Sequence, residues 1–337
     1  FQPGIDTENT PTGAEGRWID CDKIRFRKGL PQKIGGWIKF SPEYYVGVGR
    51  ALEQWFALDG SRLEALGTDR KVYAYASGTS QDITPIRSTE ALVNAISTTS
   101  SSDIITITDT AHGAIQGDFV TLSSVSTDVG GIPAATLDAE YEILSIANAN
   151  AYTIESSATA TSTVGPTANC TVNYQLNIGP SIQTFGYGWG AGTWSAGTWG
   201  TPRTTSQIIL DARLWSINNW GEDLIITQKD GGTYEWDTSL GMTDNRATVV
   251  ANAPTTSTLS MISTETRHVV CMGTETTIGS VGTQDKMFIR WSDQENYNQW
   301  TPNVTNSAGS QRIAGGSEIR CARPAKGTIL VWTDTTM

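Results

Sequence analysis

The side chains that could do chemistry are few and scattered. The sequence has two histidines, His112 and His268, separated by more than a hundred residues. His112 sits in Thr110-Ala-His-Gly113, a turn between strand-like stretches. His268 opens the strand-like His268-Val-Val-Cys-Met272. Both read as structural. The spacings of zinc proteases, nucleophile elbows, P-loops and dinucleotide folds (HExxH, GxSxG, GxxxxGK[ST], GxGxxG) do not occur. The four cysteines, Cys21, Cys170, Cys271 and Cys321, are isolated and form no CxxC, so reduced thiols are expected rather than a metal knuckle or a disulfide framework. The expectation is a chain that is not an enzyme, with no catalytic residue, metal or cofactor.

Three segments carry residue types used in recognition. Ser292-Asp-Gln-Glu-Asn-Tyr-Asn-Gln-Trp300 is similar to the Asp-box turn of sialidase-type propellers, in which an acidic side chain caps a turn and a Trp packs behind it. Asn296 stands where that motif expects Gly, and the motif is itself structural. Phe185 to Gly200 repeats Gly-Thr-Trp at a five-residue step and holds Trp189, Trp194 and Trp199. Gly lets backbones approach closely and Trp supplies buried area, so ordered packing against the fold or a neighbouring subunit is expected. Sugar stacking is an alternative, and base stacking is disfavoured because no Lys or Arg is interleaved before Arg203. Near the start, Arg17, Lys23, Arg25, Arg27, Lys28, Lys33 and Lys39 form a basic cluster. Lys23, Arg25, Arg27 and Lys28 are candidate interface residues toward an acidic partner, with a solvated strand face as the plain reading.

These segments must be held by β-structure. Leu63 is followed ten residues later by Tyr73 and twelve later by Tyr75; Leu224 is followed in the same way by Tyr234 and Trp236. Trp55 and Trp215 lead the two copies. Strand, turn, strand, turn, strand written twice predicts small antiparallel sheets that must stack, and radial stacking gives a β-propeller. Further blades are expected at 267–300 and from Ile319 onward through Thr328–Trp332.

Between Arg87 and Arg203 there is no Lys or Arg, although Asp and Glu continue. Alternating stretches at Ile104–Thr108, Phe119–Leu122, Tyr141–Ile146 and Tyr152–Ile154 predict an inserted small β-sandwich or barrel. The expected organisation is residues 1–87 as N-terminal strands and first blade, 88–178 as the inserted domain, and 179–337 as further blades. Strands are expected at Cys21–Phe26 and Trp37–Phe40, with turns at Leu30-Pro31 and Gly35-Gly36. The chain does not open with Met, and its last blade is incomplete, which predicts continuation past Met337.

With 23 basic against 34 acidic residues the net charge is −11, which disfavours a sequence-specific duplex binder. A negative wall lets DNA slide past rather than holding it. No apolar run is long enough for a membrane-spanning helix.

Phe1-Gln-Pro-Gly-Ile5, Gly16-Arg-Trp-Ile-Asp-Cys-Asp-Lys-Ile-Arg-Phe-Arg-Lys-Gly29 and Pro31-Gln-Lys-Ile-Gly-Gly-Trp37 resemble the opening of short-tailed phage tail hub or nozzle proteins, some of them labelled packaged-DNA stabilisation proteins. Gly186 to Arg203, Trp215 to Leu224, and Arg290–Glu295 with Trp300-Thr-Pro302 are similar to later parts of that family, in the same order. The resemblance implies an all-β tail protein in the virion, assembled as a ring, commonly of six copies. Its implied partners are further copies of itself, the portal–adaptor connector, tail fibres or spikes, and double-stranded DNA as passing cargo. It implies no catalytic residues. The competing expectation is a carbohydrate-binding or depolymerising tail protein.

Overall fold

The computed structural model describes residues 4–36, 38–39, 41, 43–183 and 211–336. The chain is all-β, and it divides into two compact units, residues 1–42 and 43–337.

The first unit contains a hairpin of β1 (Ile24–Arg27) and β2 (Leu30–Lys33), with Arg25 opposite Gln32 and Arg27 opposite Leu30. Lys28 (φ 52°) and Gly29 (φ 81°) both occupy the left-handed region. That pair forms the two-residue turn favoured in twisted hairpins. The turn therefore lies at Lys28-Gly29, and Leu30-Pro31, expected as a turn, is strand. The strand expected from Cys21 begins only at Ile24, because Lys23 is also left-handed (φ 57°). Of the strand expected at Trp37–Phe40, Trp37 and Phe40 lie outside the described residues, and Ile38 and Lys39 are not strand.

The second unit opens with sheet I: β3 (Gly49–Phe56), β4 (Arg62–Thr68), β5 (Val72–Ala76) and β6 (Thr79–Asp82), paired in chain order. Then come β7 (Ile86–Leu92), β8 (Ile96–Thr98), β9 (Ile104–Thr108), β10 (Phe119–Ser123), the single-turn α1 (Ala134–Leu137), β11 (Glu140–Asn148), β12 (Ala151–Glu155), β13 (Val164–Thr167) and β14 (Cys170–Gln175). These strands form one eight-stranded sheet in the order β13-β8-β9-β12-β11-β10-β14-β7. Register shifts along β11 let one strand pair with β12 over one part of its length and β10 over another. The sheet encloses a core of its own, including Ile105, Ile107, Val120, Leu122, Ile143, Tyr152, Ile154, Val172 and Tyr174.

Sheet II is β15 (Trp215–Trp220), β16 (Asp223–Gln228), β17 (Thr233–Trp236) and β18 (Thr248–Val249). Sheet III is β19 (Leu259–Ile262), β20 (Val269–Met272), β21 (Phe288–Trp291) and β22 (Gly309–Arg312). A hairpin, IV, follows: β23 (Ile319–Ala325) and β24 (Thr328–Thr333). The sheets stand in a row, joined through their first strands: β15 lies against β3 and β19, and β19 against β23.

The strand sequences follow from place in this row. Leu224-Ile-Ile in β16 and Val269-Val-Cys-Met in β20 are continuous apolar runs because both faces of these inner sheets are covered. Leu224 and Ile226 pack toward sheet I while Ile225 packs toward sheet III. Val269 and Cys271 pack toward sheet II, and Val270 and Met272 toward hairpin IV. In end sheet I, β4 alternates instead: Leu63 and Ala65 are buried and Glu64 and Leu66 half-buried. One face meets sheet II and the other does not.

The two repeat copies differ in register. Leu224 pairs with Trp236 and Ile226 with Tyr234, so these side chains share the face toward sheet I. Leu63 pairs with Ala76, and Leu66 with Tyr73, so Tyr73 and Tyr75 lie on the face opposite Leu63. The first connecting loop is one residue shorter, Gly67 pairing with Val72 where Thr227 pairs with Thr233. A one-residue slip exchanges the faces of a strand. Tyr73 and Tyr75 therefore do not join sheets I and II; the Tyr73 hydroxyl instead accepts from the Val46 amide at 3.0 Å.

Candidate functional site

Indole rings fasten the row. Trp55, on β3, donates its ring N–H to the Glu222 carbonyl of sheet II at 2.7 Å, and Trp215, on β15, donates to the Thr68 carbonyl of sheet I at 2.6 Å. Each sheet thus inserts its leading Trp into the other. Trp55 also meets Trp236 edge to face, with centroids 6.3 Å apart. The Trp215 ring lies so close to Gly67 that a Cβ there would come within 2.7 Å of it, so only glycine fits. Between sheets II and III, Trp220 meets Tyr297 edge to face at 5.4 Å and Trp300 is fully buried.

The fragment Ser292–Trp300 is a structural turn. The Asp293 carboxylate accepts from the Gln294 amide and from the Ser307 amide and hydroxyl, which holds its carboxyl below the ordinary range. Trp300 donates to the Tyr297 carbonyl at 2.6 Å. His268 Nδ1 lies 2.9 Å from the Ser292 carbonyl, and His112 Nε2 lies 3.2 Å from that of Asn148; both are local bonds of the scaffold.

A charged joint ties the eight-stranded insert to sheets I and II. Lys71, its side chain 5% exposed, bonds Asp82 at 2.9 Å and the Glu140 carboxylate of the insert. Arg246, just before β18, reaches Asp82 at 3.3 Å and Glu140 at 3.2 Å. The Gln175 amide donates to Asp82 at 3.2 Å and to Glu140 at 2.5 Å. Beside them Arg70 pairs with Glu142 at 2.5 Å, and Arg70 and Lys71 both lie over the Phe119 ring. Burial alone would push the Asp82 carboxyl up; Arg246 and Lys71 outweigh it and hold it below the usual range. Motif reading does not find this joint, yet the sequence carries a signal for it. The insert has carboxylates and no cations of its own after Arg87, so Glu140 and Glu142 draw theirs from residues 70, 71 and 246.

Within the insert, the Tyr174 hydroxyl donates to Asp109 at 2.5 Å and sits 3.1 Å from that of Tyr152. Burial pushes both phenols far up, so they act as fixed donors. Burial also raises the Cys170 and Cys271 thiols to about 11, which makes them inert. All four cysteines are free, and Cys321 is the exposed one.

Where the first strands converge lies a cavity of about 500 Å³, walled by β3, β15, β19 and β23. Its charged groups are Arg50, Glu53, Lys229, Glu318, Arg320 and Arg323. Burial raises the Glu53 carboxyl, and the Arg323 charge opposes that rise.

Of the interface residues expected from sequence, Lys23, Arg25, Arg27 and Lys28 are all exposed on the first unit's hairpin. Arg25 donates to Gln32 at 3.2 Å, and Lys23 lies 3.4 Å from Asp22 with both side chains 84% exposed, a pair of little energetic weight. Trp189, Trp194 and Trp199 lie outside the described residues.

No protein-family model matches the chain, and no curated protein matches it. Among solved structures it is similar to a phage phi92 endosialidase, with TM-score 0.24 and 11% identity over 87% of this chain and 41% of that one. The chain thus spans less than half of that protein's length, and the likeness is too loose to define a shared fold or to bear on activity.

Proposed function

We propose that the chain is a non-catalytic structural subunit of a short-tailed phage tail, of the hub or nozzle type, whose sheets I to IV are consecutive blades of a propeller platform. In this reading copies of the subunit form a ring below the portal and adaptor. The ring extends the DNA channel, helps retain packaged DNA and anchors fibres.

The observation that carries the reading is how the side chains are used. Trp55, Trp215, Trp220 and Trp236 serve joints between sheets, while the buried tyrosines of the insert and the Asp293 turn hold single modules together. Sheet I leaves large apolar side chains exposed: Leu52 (70% exposed), Phe56 (60%) and neighbouring Leu58 (91%). Exposed apolar surface of this kind suits a subunit that meets other chains. The ordered sequence strings at 1–37 and 186–302 give the assembly its proposed identity.

Electron cryomicroscopy of assembled tails tests it. The expected result is density for this chain in a ring at the portal–tail junction, and its absence there contradicts the proposal. Glycan binding by the purified chain that is lost in Trp194→Ala would favour a carbohydrate-binding tail protein instead.

A further inference from the structure

The cavity at the convergence of the first strands combines two features that point to one kind of ligand. The first is backbone. Among the described residues, β3 pairs only with β4, β15 only with β16, β19 only with β20 and β23 only with β24. Each of these four strands therefore presents a free edge, and all four wall the same cavity. A free edge offers unpaired N–H and C=O groups in the repeat that an extended polypeptide matches. Part of this edge is bridged already: the Asn218 side chain of β15 donates to the Ser260 carbonyl of β19 at 3.2 Å.

The second feature is charge. In a chain of net charge −11, the cavity wall carries Arg50, Lys229, Arg320 and Arg323 against Glu53 and Glu318. Arg50 is held by the Ser181 carbonyl, Lys229 pairs with Asp211 at 2.8 Å, and Arg320 with Glu318 at 3.1 Å. Arg323 and Arg320 are exposed, on β23. The apolar part of the wall, Ala51, Leu52, Leu214, Ile217 and Ile319, is interleaved with these charges. The volume is in the range of specific ligand pockets, about 300–1,000 Å³.

We propose that this cavity binds an extended, acidic polypeptide segment of a partner protein, which adds its backbone to a free edge and sets carboxylates against Arg320 and Arg323. A nucleic-acid strand could meet the arginines, but it lacks the alternating donors and acceptors that the edges require. The inference does not depend on the tail reading.

The test uses the full chain and a fluorescein-labelled peptide alternating glutamate and valine, followed by anisotropy at low salt. Binding is expected, weakened about tenfold or more by Arg323→Glu and by Arg320→Glu, both exposed positions whose change leaves the fold intact. The lysine–valine peptide should not bind, and methylation of alternate backbone amides should abolish binding by the acidic one. Bound peptide should also slow maleimide labelling of Cys321, which lines the same cavity. Four results would each overturn the proposal: no binding of the acidic peptide, binding unchanged in both arginine variants, full competition by inorganic phosphate, or tighter binding of a single-stranded oligonucleotide.

Discussion

The insert and the row of sheets are built from the same strands by opposite rules. The eight-stranded insert keeps its apolar side chains for itself, in one core bounded by its own strands. The row divides its apolar side chains among three cores, each lying between two sheets, so that no sheet is complete without its neighbour. The insert meets the row through ions, amides and the Phe119 ring beneath Arg70 and Lys71, whereas sheets I, II and III meet one another through buried aromatic and aliphatic side chains. A module with its own core can sit at the edge of a scaffold and be held in place by charge. A module that shares its core cannot be removed without loss to the next.

The largest expected effect attacks a shared core. Trp236 is buried between sheets I and II and meets Trp55, so Trp236→Ala should cost about 3–5 kcal/mol. Calorimetry should show the row's transition moving down while the insert's holds. The next effect attacks the joint. Lys71→Met leaves Asp82 and Glu140 short of a cation, at a cost of about 3 kcal/mol. Proteolysis at the insert's boundaries should become faster, with both cores intact. Acid should do the same by another route. The Asp82 carboxyl is depressed in the fold, so its contribution is whole above about pH 4, the range of a free Asp carboxyl, and is lost as pH falls through the folded value. A joint that is as tightly closed at pH 2 as at pH 7 by hydrogen exchange would count against this.

A smaller effect falls on the insert alone. Tyr174→Phe removes the hydroxyl that donates to buried Asp109, and about 1–3 kcal/mol should be lost from the insert's transition with none from the row's. The smallest concerns the exposed hairpin. Arg25→Glu with Arg27→Glu should shift melting by no more than about 0.5 kcal/mol. If this hairpin docks on an acidic neighbour, oligomer size at low salt should fall, and rising ionic strength should reproduce the loss in the native chain.

The strands of the insert were legible because their alternation is local: Ile105 and Ile107, or Tyr152 and Ile154, announce a buried face within five residues. The inner sheets were legible from continuous runs such as Val269–Met272. The repeated Leu and Tyr marked where strands lie but not which way their rings point. A single residue in the loop at 228–232 decides that, and no periodicity within a strand reports it. The joint of Lys71, Asp82, Glu140 and Arg246 joins residues up to 175 positions apart, so its geometry was hidden while its charge imbalance was plain. The cavity was hidden for the same reason, since its four walls come from four separated strands.

Hydrogen exchange on the intact chain, comparing the native protein with Trp236→Ala, tests the division between owned and shared cores most directly. The account predicts that amides in β4, β16 and β17 lose protection together while those in β9, β10, β12 and β14 keep theirs. Loss of protection in both regions at once, with one common opening energy, would contradict it.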